Sequence, residues 1–309
     1  MSQYQNLLLI ADRTLYHSPA LLRAVALAKA CGATLHVRAF IEPTPIIHLW
    51  EEHVDESVFQ DYLRRYRYWL TEELQRHGGN GLKVTVELVF TTHPMLDILR
   101  TIADLNPDLV IKDIKAEPML KRVFITPLDC QLLRECTTPL HLVSQARYGL
   151  PHRVVAAVDP FDPDTQISGL NDAIIQNALA LALQCDAPLH LLHAYDLSPA
   201  FNGEAPLVMG GWNLDFAEEL RQSLHQAFVT LADRYGVPPE RRHFVMGQPV
   251  PVIQAFVDEF QADVVVMGTA HRVGLERLIG SNTERALYSV PGSILAIRQP
   301  PPASTVKDA

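Results

Sequence analysis

The sequence has few cysteines, few aromatic residues and no excess of positive charge. It contains 4 cysteines and 7% aromatic residues, and its formal net charge is -9 at pH 7. Cys130 and Cys136 do not have the spacing of metal ligands, so we expect neither a zinc site nor a disulfide framework. A protein that neutralises phosphates along a polymer needs a basic face, so nucleic acid is not an expected partner.

Long apolar runs and a secretion signal are also missing. The apolar run over residues 7–10 stops at Ala11-Asp12 and has no basic segment before it. Such a run is too short for a membrane span or for the apolar core of a signal peptide. We therefore expect a cytoplasmic protein with no membrane partner.

Catalytic motifs are absent as well. The sequence has no Gly-x-Ser-x-Gly, no His-Glu-x-x-His and no P-loop lysine. It also offers no nucleophile with an evident base, and no pair of carboxylates in a suggestive context. The expected function is therefore binding and not catalysis.

What the sequence does contain is an internal repeat at an offset of about 154 residues. Residues 26–36, ALAKACGATLH, return as residues 180–190, ALALQCDAPLH. A chain of 309 residues with 48% hydrophobic residues can bury two ordinary domain cores. Two more pairs of segments match, 108–112 with 263–267 and 139–143 with 293–297.

Each copy alternates short apolar runs with segments of helical period. Runs such as 7–10 and 264–267 are apolar on both faces, which is typical of strands covered by helices in a parallel sheet. We predict an α/β fold of two tandem, Rossmann-like doubly wound domains, each with a five-stranded parallel sheet.

The predicted domains cover residues 1–147 and 152–300. A linker with Gly149 and Pro151 lies between them, and residues 301–309 are expected to be a disordered tail. The first strand of the second copy is predicted over 153–159, and the helix after it from Asp172.

A long apolar loop follows the second predicted strand in each copy. Residues 41–54 include Trp50, and residues 196–213 include Trp212. These loops have three interpretations: packed lids, the walls of an apolar ligand pocket, or a dimer face.

The two copies differ most in chemistry after the fourth strand of the second copy. Gly268 lets the chain leave the strand, and Gly280-Ser281-Asn282-Thr283 opens a helix. A helix N-terminus with a flanking loop backbone can hold phosphate oxygens without a lysine. This stretch is the candidate anion site.

These residues resemble the universal stress protein family. The resemblance rests on the small-residue turn after strand four, the Gly-Ser-x-Thr-Glu helix start and the closing strand. The tandem arrangement is similar to the two-domain UspE-type branch, as are residues 124–129 and 132–136. The resemblance implies a role in the stress response, with ATP or another adenine nucleotide, and Mg²⁺ with it, as ligand. It also implies that the two copies imitate a dimer within the chain, and that a homodimer is possible.

The nucleotide motif of the family matches only in part. ATP-binding members carry Gly-x-x-Gly, nine residues, and then Gly-Ser or Gly-Thr, but His271 replaces the second glycine and eight residues separate it from Gly280. The imidazole would either block the close approach of phosphate or donate a hydrogen bond to it. By resemblance the adenosine end would meet Asp159, Pro160 and Ala194, and the phosphate end would meet Met267, Gly268, Thr269, His271, Gly280, Ser281, Asn282 and Thr283.

The first copy lacks this motif. Residues 113–128 contain no glycine, and Pro127 removes a backbone N–H from the phosphate region. We predict no nucleotide site there, although Asp12 is the repeat partner of Asp159. A cluster of basic residues is interpreted as a solvated face in preference to another anion site; it consists of Lys112, Lys115, Lys121 and Arg122.

The sequence thus predicts a non-catalytic stress protein with a nucleotide site in its second domain. The alternative is a nucleotide-independent binding or scaffold protein that uses an apolar pocket or a dimer face.

Overall fold

The computed structural model divides the chain into two compact units, Met1–Pro151 and His152–Ala309. It describes residues 4–11, 18–42, 56–79, 81–114, 128–144, 146–161, 169–196, 214–269 and 281–298, without the side chains of 56–59, 214–216, 281, 282 and 284. Within these ranges no helix combines the length and apolar character that a bilayer span requires.

The N-terminal unit is a parallel sheet with strand order β3-β2-β1-β4-β5 and helices in the connections. The order reverses between β1 and β4, which creates a crevice at the carboxyl edge of the sheet. The elements are β1 (Asn6–Ala11), α1 (Pro19–Cys31), β2 (Thr34–Ile41), α2 (Glu56–Gly78), β3 (Val84–Phe90), α3 (Pro94–Leu105), β4 (Leu109–Asp113), α4 (Leu128–Glu135) and β5 (Leu140–Val143).

The C-terminal unit repeats this topology with strand order β8-β7-β6-β9-β10, again parallel throughout. Its crevice lies between β6 and β9. A single 3₁₀ turn, Pro239–Arg241, precedes β8. The elements are β6 (Val154–Ala157), α5 (Leu170–Cys185), β7 (Leu189–Tyr195), α6 (Leu214–Arg234), β8 (Arg242–Met246), α7 (Pro249–Phe260), β9 (Val264–Thr269), α8 (Ser281–Ser289) and β10 (Ser293–Arg298).

The central strands form the core of each unit. All five residues of β4 are buried, and Val264, Val265 and Val266 of β9 have no exposed surface. Burial on both faces explains the continuous apolar runs in the sequence, because helices cover the sheet from both sides. The predicted fold class is confirmed.

Helix α1 shows how local sequence sets the helix bounds. The Ser18 hydroxyl accepts a hydrogen bond from the Leu21 N–H at 2.9 Å, and Pro19 occupies the first helical position. Gly32 ends the helix in a left-handed conformation with φ 67°. The sequence carries these start and stop signals in plain form.

Candidate functional site

The parallel register brings several predicted site residues to one edge of the C-terminal sheet. Ala157 of β6 lies level with Leu192 of β7 and Met267 of β9. The predicted site residues Ala194 and Thr269 lie two residues further along β7 and β9, and Asp159 lies two residues beyond the end of β6.

Asp159 lies beyond the strand that the sequence analysis ended with it. Strand β6 stops at Ala157 because the backbone of Asp159 bonds to a side chain and not to β7. The Asn171 amide accepts from the Asp159 N–H at 3.0 Å and donates to the Asp159 carbonyl at 2.8 Å. The helix that supplies this amide, α5, begins at Leu170, two residues before the predicted start. The exposed Asp159 carboxylate is thus held on a fixed backbone, with Pro160 buried beside it.

Gly268 is required by packing between β9 and helix α5. A Cβ atom at this position would lie 2.7 Å from Cδ2 of Leu170 and 3.1 Å from Cδ1 of Ile174. Contacts that close force neighbouring atoms to move. The glycine therefore lets the first turn of α5 rest on the end of β9, a reason that the sequence analysis did not identify.

Thr283 fixes the start of helix α8 at the end of β9. Its side chain is 1% exposed, and its hydroxyl donates to the Gly268 carbonyl at 2.8 Å. The hydroxyl proton is therefore used in a hydrogen bond within the protein. Met267 and Thr269 are also buried, at 5% exposure each, with the Thr269 hydroxyl 3.4 Å from the Ile297 carbonyl.

His193 lies beneath this edge of the sheet. Its Nδ1 is 2.9 Å from the Val158 carbonyl, so Nδ1 carries the proton and donates it. Burial lowers the pKa of His193, and this outweighs the bond to Val158 and the charge of Asp159, which both raise it. A neutral imidazole thus supports the backbone that leads to Asp159.

The N-terminal crevice carries charged side chains at repeat positions that hold uncharged residues in the C-terminal crevice. The Lys112 ammonium donates to Oδ1 of Asp129 at 2.6 Å and to the Asp113 carbonyl at 2.9 Å. Lys112 is 6% exposed and Asp129 is 2% exposed. The repeat places Lys112 at the position of Met267 and Asp129 at that of Thr283. The interpretation of Lys112 as part of a solvated basic face was wrong, because its charge is buried against Asp129.

The carboxylate of Asp113 is also turned inward. It accepts from the Ala20 N–H at 2.8 Å and from the Ser18 hydroxyl, and so caps helix α1. In the repeat this aspartate stands where Gly268 stands. Carboxylates of the protein therefore occupy the N-terminal ends of both helices at the N-terminal crevice: Asp113, at the end of β4, binds the start of α1, and Asp129 lies in the first turn of α4.

The remaining predictions lie partly beyond what the structure describes. Ser281 and Asn282 form the first turn of α8, without described side chains. His271, Gly280, the two tryptophan loops, residues 301–309 and the basic residues Lys115, Lys121 and Arg122 lie outside the described residues.

Sequence reasoning missed Asn171 and the pair of Lys112 and Asp129. A position-by-position comparison of the two copies could have found the pair, since Lys112 and Asp129 stand where the second copy has Met267 and Thr283.

The family model for the universal stress protein family matches residues 3–144 and, a second time, residues 152–298. The chain belongs to the universal stress protein family. It contains two tandem domains of this family, as the internal repeat predicts.

Curated relatives match over nearly the full chain. Universal stress protein E of Escherichia coli (strain K12) is 25% identical over 308 residues, covering 96% of this chain and 95% of that protein. The Universal stress protein E homolog of Haemophilus influenzae is 22% identical, covering 96% of this chain and 98% of its own length. The tandem, E-type arrangement is confirmed.

Solved structures of the family share the fold. A protein of Pseudomonas aeruginosa UCBPP-PA14 described as a universal stress protein has a TM-score of 0.71 at 23% identity, covering 96% of this chain and 93% of that one. A universal stress protein of Archaeoglobus fulgidus DSM 4304 has a TM-score of 0.65 at 16% identity, covering 96% and 97%.

Proposed function

We propose that this universal stress protein is a non-catalytic, cytoplasmic stress-response protein that binds an adenine nucleotide, ATP with Mg²⁺, in its C-terminal unit. The observation that carries the proposal is the contrast between the two crevices. The contact between Thr283 and Gly268 fixes the start of α8 without a charged side chain, whereas Lys112, Asp113 and Asp129 fill the equivalent place in the N-terminal unit.

The start of α8 supports an anion at the C-terminal crevice. The first N–H groups of a helix have no partner within the helix, and the helix dipole favours negative charge there. The Thr283 hydroxyl holds these groups at the end of β9, the place where open α/β sheets bind ligands. Phosphate is the ligand group that suits this arrangement.

Asp159 supports the adenosine end of the ligand. Its carboxylate is exposed at the same edge, and the Asn171 amide immobilises its backbone. A carboxylate accepts hydrogen bonds from amino and hydroxyl groups, which adenosine supplies. A homodimer, and the pairing of the two units as a pseudo-dimer, stay predictions from the sequence.

The absence of catalysis is part of the proposal. The polar groups described at the crevice serve structural bonds: Thr283 donates to Gly268, and Asn171 binds the backbone of Asp159. Neither threonine nor asparagine acts there as a base for water. Binding and release of nucleotide would then carry the signal.

Calorimetric titration of the full chain with Mg-ATP tests the site. We expect one nucleotide per chain, and we expect Gly280→Val to abolish binding, because a branched side chain blocks close approach of phosphate to the backbone. The matched control is Thr126→Val at the equivalent position of the first copy, which should leave the affinity unchanged.

The outcomes separate the two functions that the sequence allows. Absence of heat and of thermal stabilisation at millimolar Mg-ATP would reject nucleotide binding and favour a nucleotide-independent scaffold. Binding that survives in Gly280→Val but disappears in Thr126→Val would show that the nucleotide site lies in the N-terminal unit and would contradict the proposal.

A further inference from the structure

His193 of β7 is a buried polar ring that packs against aromatic side chains. It is 3% exposed, and its ring centre lies 6.0 Å from that of Phe228 in α6 and 5.7 Å from that of Phe244 in β8. Nδ1 donates to the Val158 carbonyl at 2.9 Å, while Nε2 is buried with no hydrogen-bond partner among the described residues. A buried nitrogen without a partner costs stability, so packing alone does not explain a histidine at this position.

The first copy forms the same part of the sheet without a polar side chain. The repeat sets Ala39 of β2 at the position of His193. It likewise sets Ala11 of β1 at the position of Val158, and the pairing of β1 with β2 includes Ala11 and Ala39. In the second copy the pairing of β6 with β7 ends one position earlier, at Ala157. The histidine thus bonds to the chain at the point where strand pairing has stopped.

The peptide group that joins Val158 to Asp159 is held at both ends. Its carbonyl accepts from Nδ1 of His193, and its N–H donates to the Asn171 side chain at 3.0 Å. Because a peptide group is planar, bonds at its two opposite ends fix its orientation. This orientation determines where the Asp159 side chain leaves the backbone, and the Phe161 N–H adds a bond to Oδ1 of that carboxylate at 3.2 Å.

We infer that His193 is a positioning residue for the ligand of the C-terminal crevice: its Nδ1–H orients the peptide group before Asp159 and so aims the Asp159 carboxylate at the bound nucleotide. This inference rests on the proposed function. The imidazole is buried, so it acts through Asp159 and not by touching the ligand. Ala39 offers no such donor in the first copy, where no nucleotide site is expected.

Two variants of His193 separate the hydrogen bond from the packing of the ring. His193→Phe keeps an aromatic ring but removes the donor, whereas His193→Asn removes the ring but keeps an N–H group at the position of Nδ1. In calorimetric titration of the full chain with Mg-ATP, His193→Phe should bind about tenfold more weakly than the wild type, and His193→Asn should bind with nearly wild-type affinity. Both changes should lower the thermal midpoint of unfolding, so lost stability cannot by itself explain a difference in affinity between them.

The control for lost stability is Phe256→Leu. It trims a buried ring of α7 that lies 4.5 Å from the ring of His243, away from the bond between His193 and Val158. This variant should lower the thermal midpoint and leave the affinity for Mg-ATP unchanged.

Amide hydrogen exchange provides a second readout that needs no nucleotide. The Asp159 N–H belongs to the peptide group that His193 holds, so it should exchange faster in His193→Phe than in the wild type or in His193→Asn.

The outcomes separate this inference from the proposed function. No binding of Mg-ATP to the wild-type protein overturns the proposed function. Wild-type binding with unchanged affinity in His193→Phe, or with an equal loss in His193→Phe and His193→Asn, overturns the positioning role alone. Equal exchange of the Asp159 N–H in His193→Phe and the wild type refutes the orienting bond. If His193→Phe does not fold, His193→Gln replaces it, because its amide lies one bond further along the side chain than Nδ1, and the same outcomes apply.

Discussion

Lys112 illustrates how far the environment of one residue can depart from its sequence context. It lies one residue before the end of an apolar strand and is followed by further basic residues, a pattern that favours solvent. In the fold it is 6% exposed and bonded to Asp129 of helix α4. Its repeat partner, Met267, fills the same position without charge, so the ion pair is a feature of one copy.

Removing one member of this pair should be costly. Lys112→Met takes away the counter-charge of a carboxylate that is 2% exposed, and we expect a loss of about 3–5 kcal/mol of unfolding free energy. Urea unfolding followed by circular dichroism measures the loss.

The control for this change comes from the second copy. The double variant Lys112→Met/Asp129→Thr carries the residues found at Met267 and Thr283, and it should recover most of the stability. A double variant as unstable as the single one would show that the pair does more than balance charge.

The ends of helices α1 and α5 show the repeat at the scale of an element. Both helices stop at equivalent positions with a left-handed residue, Gly32 at φ 67° and Asp186 at φ 51°. The same bond closes each turn, from the Ala33 N–H to the Ala28 carbonyl at 3.0 Å and from the Ala187 N–H to the Ala182 carbonyl at 2.9 Å. The first copy has glycine, which suits this left-handed conformation, and the second copy has Asp186, whose Cβ atom brings a steric cost.

Asp186→Gly should therefore stabilise the protein. Glycine adopts a left-handed conformation without the steric cost that a Cβ atom brings, and we expect a gain of about 0.5–1 kcal/mol. The thermal midpoint of unfolding reports the change. The reciprocal variant Gly32→Asp should lower the midpoint, and a gain there would contradict the explanation.

At the scale of the whole molecule, the C-terminal unit carries a pair of half-buried histidines. Nδ1 of His190 and Nε2 of His243 lie 3.0 Å apart across strands β7 and β8, against Phe256 and Phe260 of α7. Burial lowers the pKa of His190 to about 4, assisted by the positive charges of His243, Arg153 and Arg241. Burial also lowers the pKa of His243, which Glu259 opposes.

Acid should weaken the C-terminal unit through His190. Its pKa is 6.5 in the unfolded chain and about 4 in the fold, so the unfolded state takes up a proton first as the pH falls. Stability is thus lost between pH 6.5 and about 4, by about 1–2 kcal/mol for a half-buried ring after allowing for solvent screening.

The measurement is the urea midpoint as a function of pH. His190→Gln should flatten the profile in this window more than His36→Gln, the same change at the repeat position of the N-terminal unit. Equal slopes for wild type and His190→Gln would exclude His190 as the source.

Most of the fold could be predicted from local patterns. The bounds of α1, β4, β8 and α7 follow from apolar periodicity with proline, glycine and serine signals, because these act within a few residues. The end of β6 could not be predicted in this way. The Asp159 backbone leaves the sheet for an amide 12 residues further along the chain, a contact that periodicity does not encode.

The candidate site was predicted less completely. The sequence analysis proposed Asp159, Gly268 and Thr283, and the structure places Asp159 just beyond the end of β6 and bonds Thr283 to Gly268 at the end of β9. It gave no sign that Gly268 accommodates Leu170, or that the Thr283 hydroxyl binds the strand end. Both depend on the packing of a helix against a strand that lies far from it in the chain.

The sequence alone determined that this protein consists of two copies of one α/β module and that the copies differ after their fourth strands. Repeats, apolar runs and glycine positions indicate such features directly, since each can be read without knowing which distant residues it contacts. The tertiary structure decided what fills each crevice: buried charges in the first, and a helix start tied to a strand end in the second. That decision depends on side chains from different elements meeting in space, and only the folded chain brings them together.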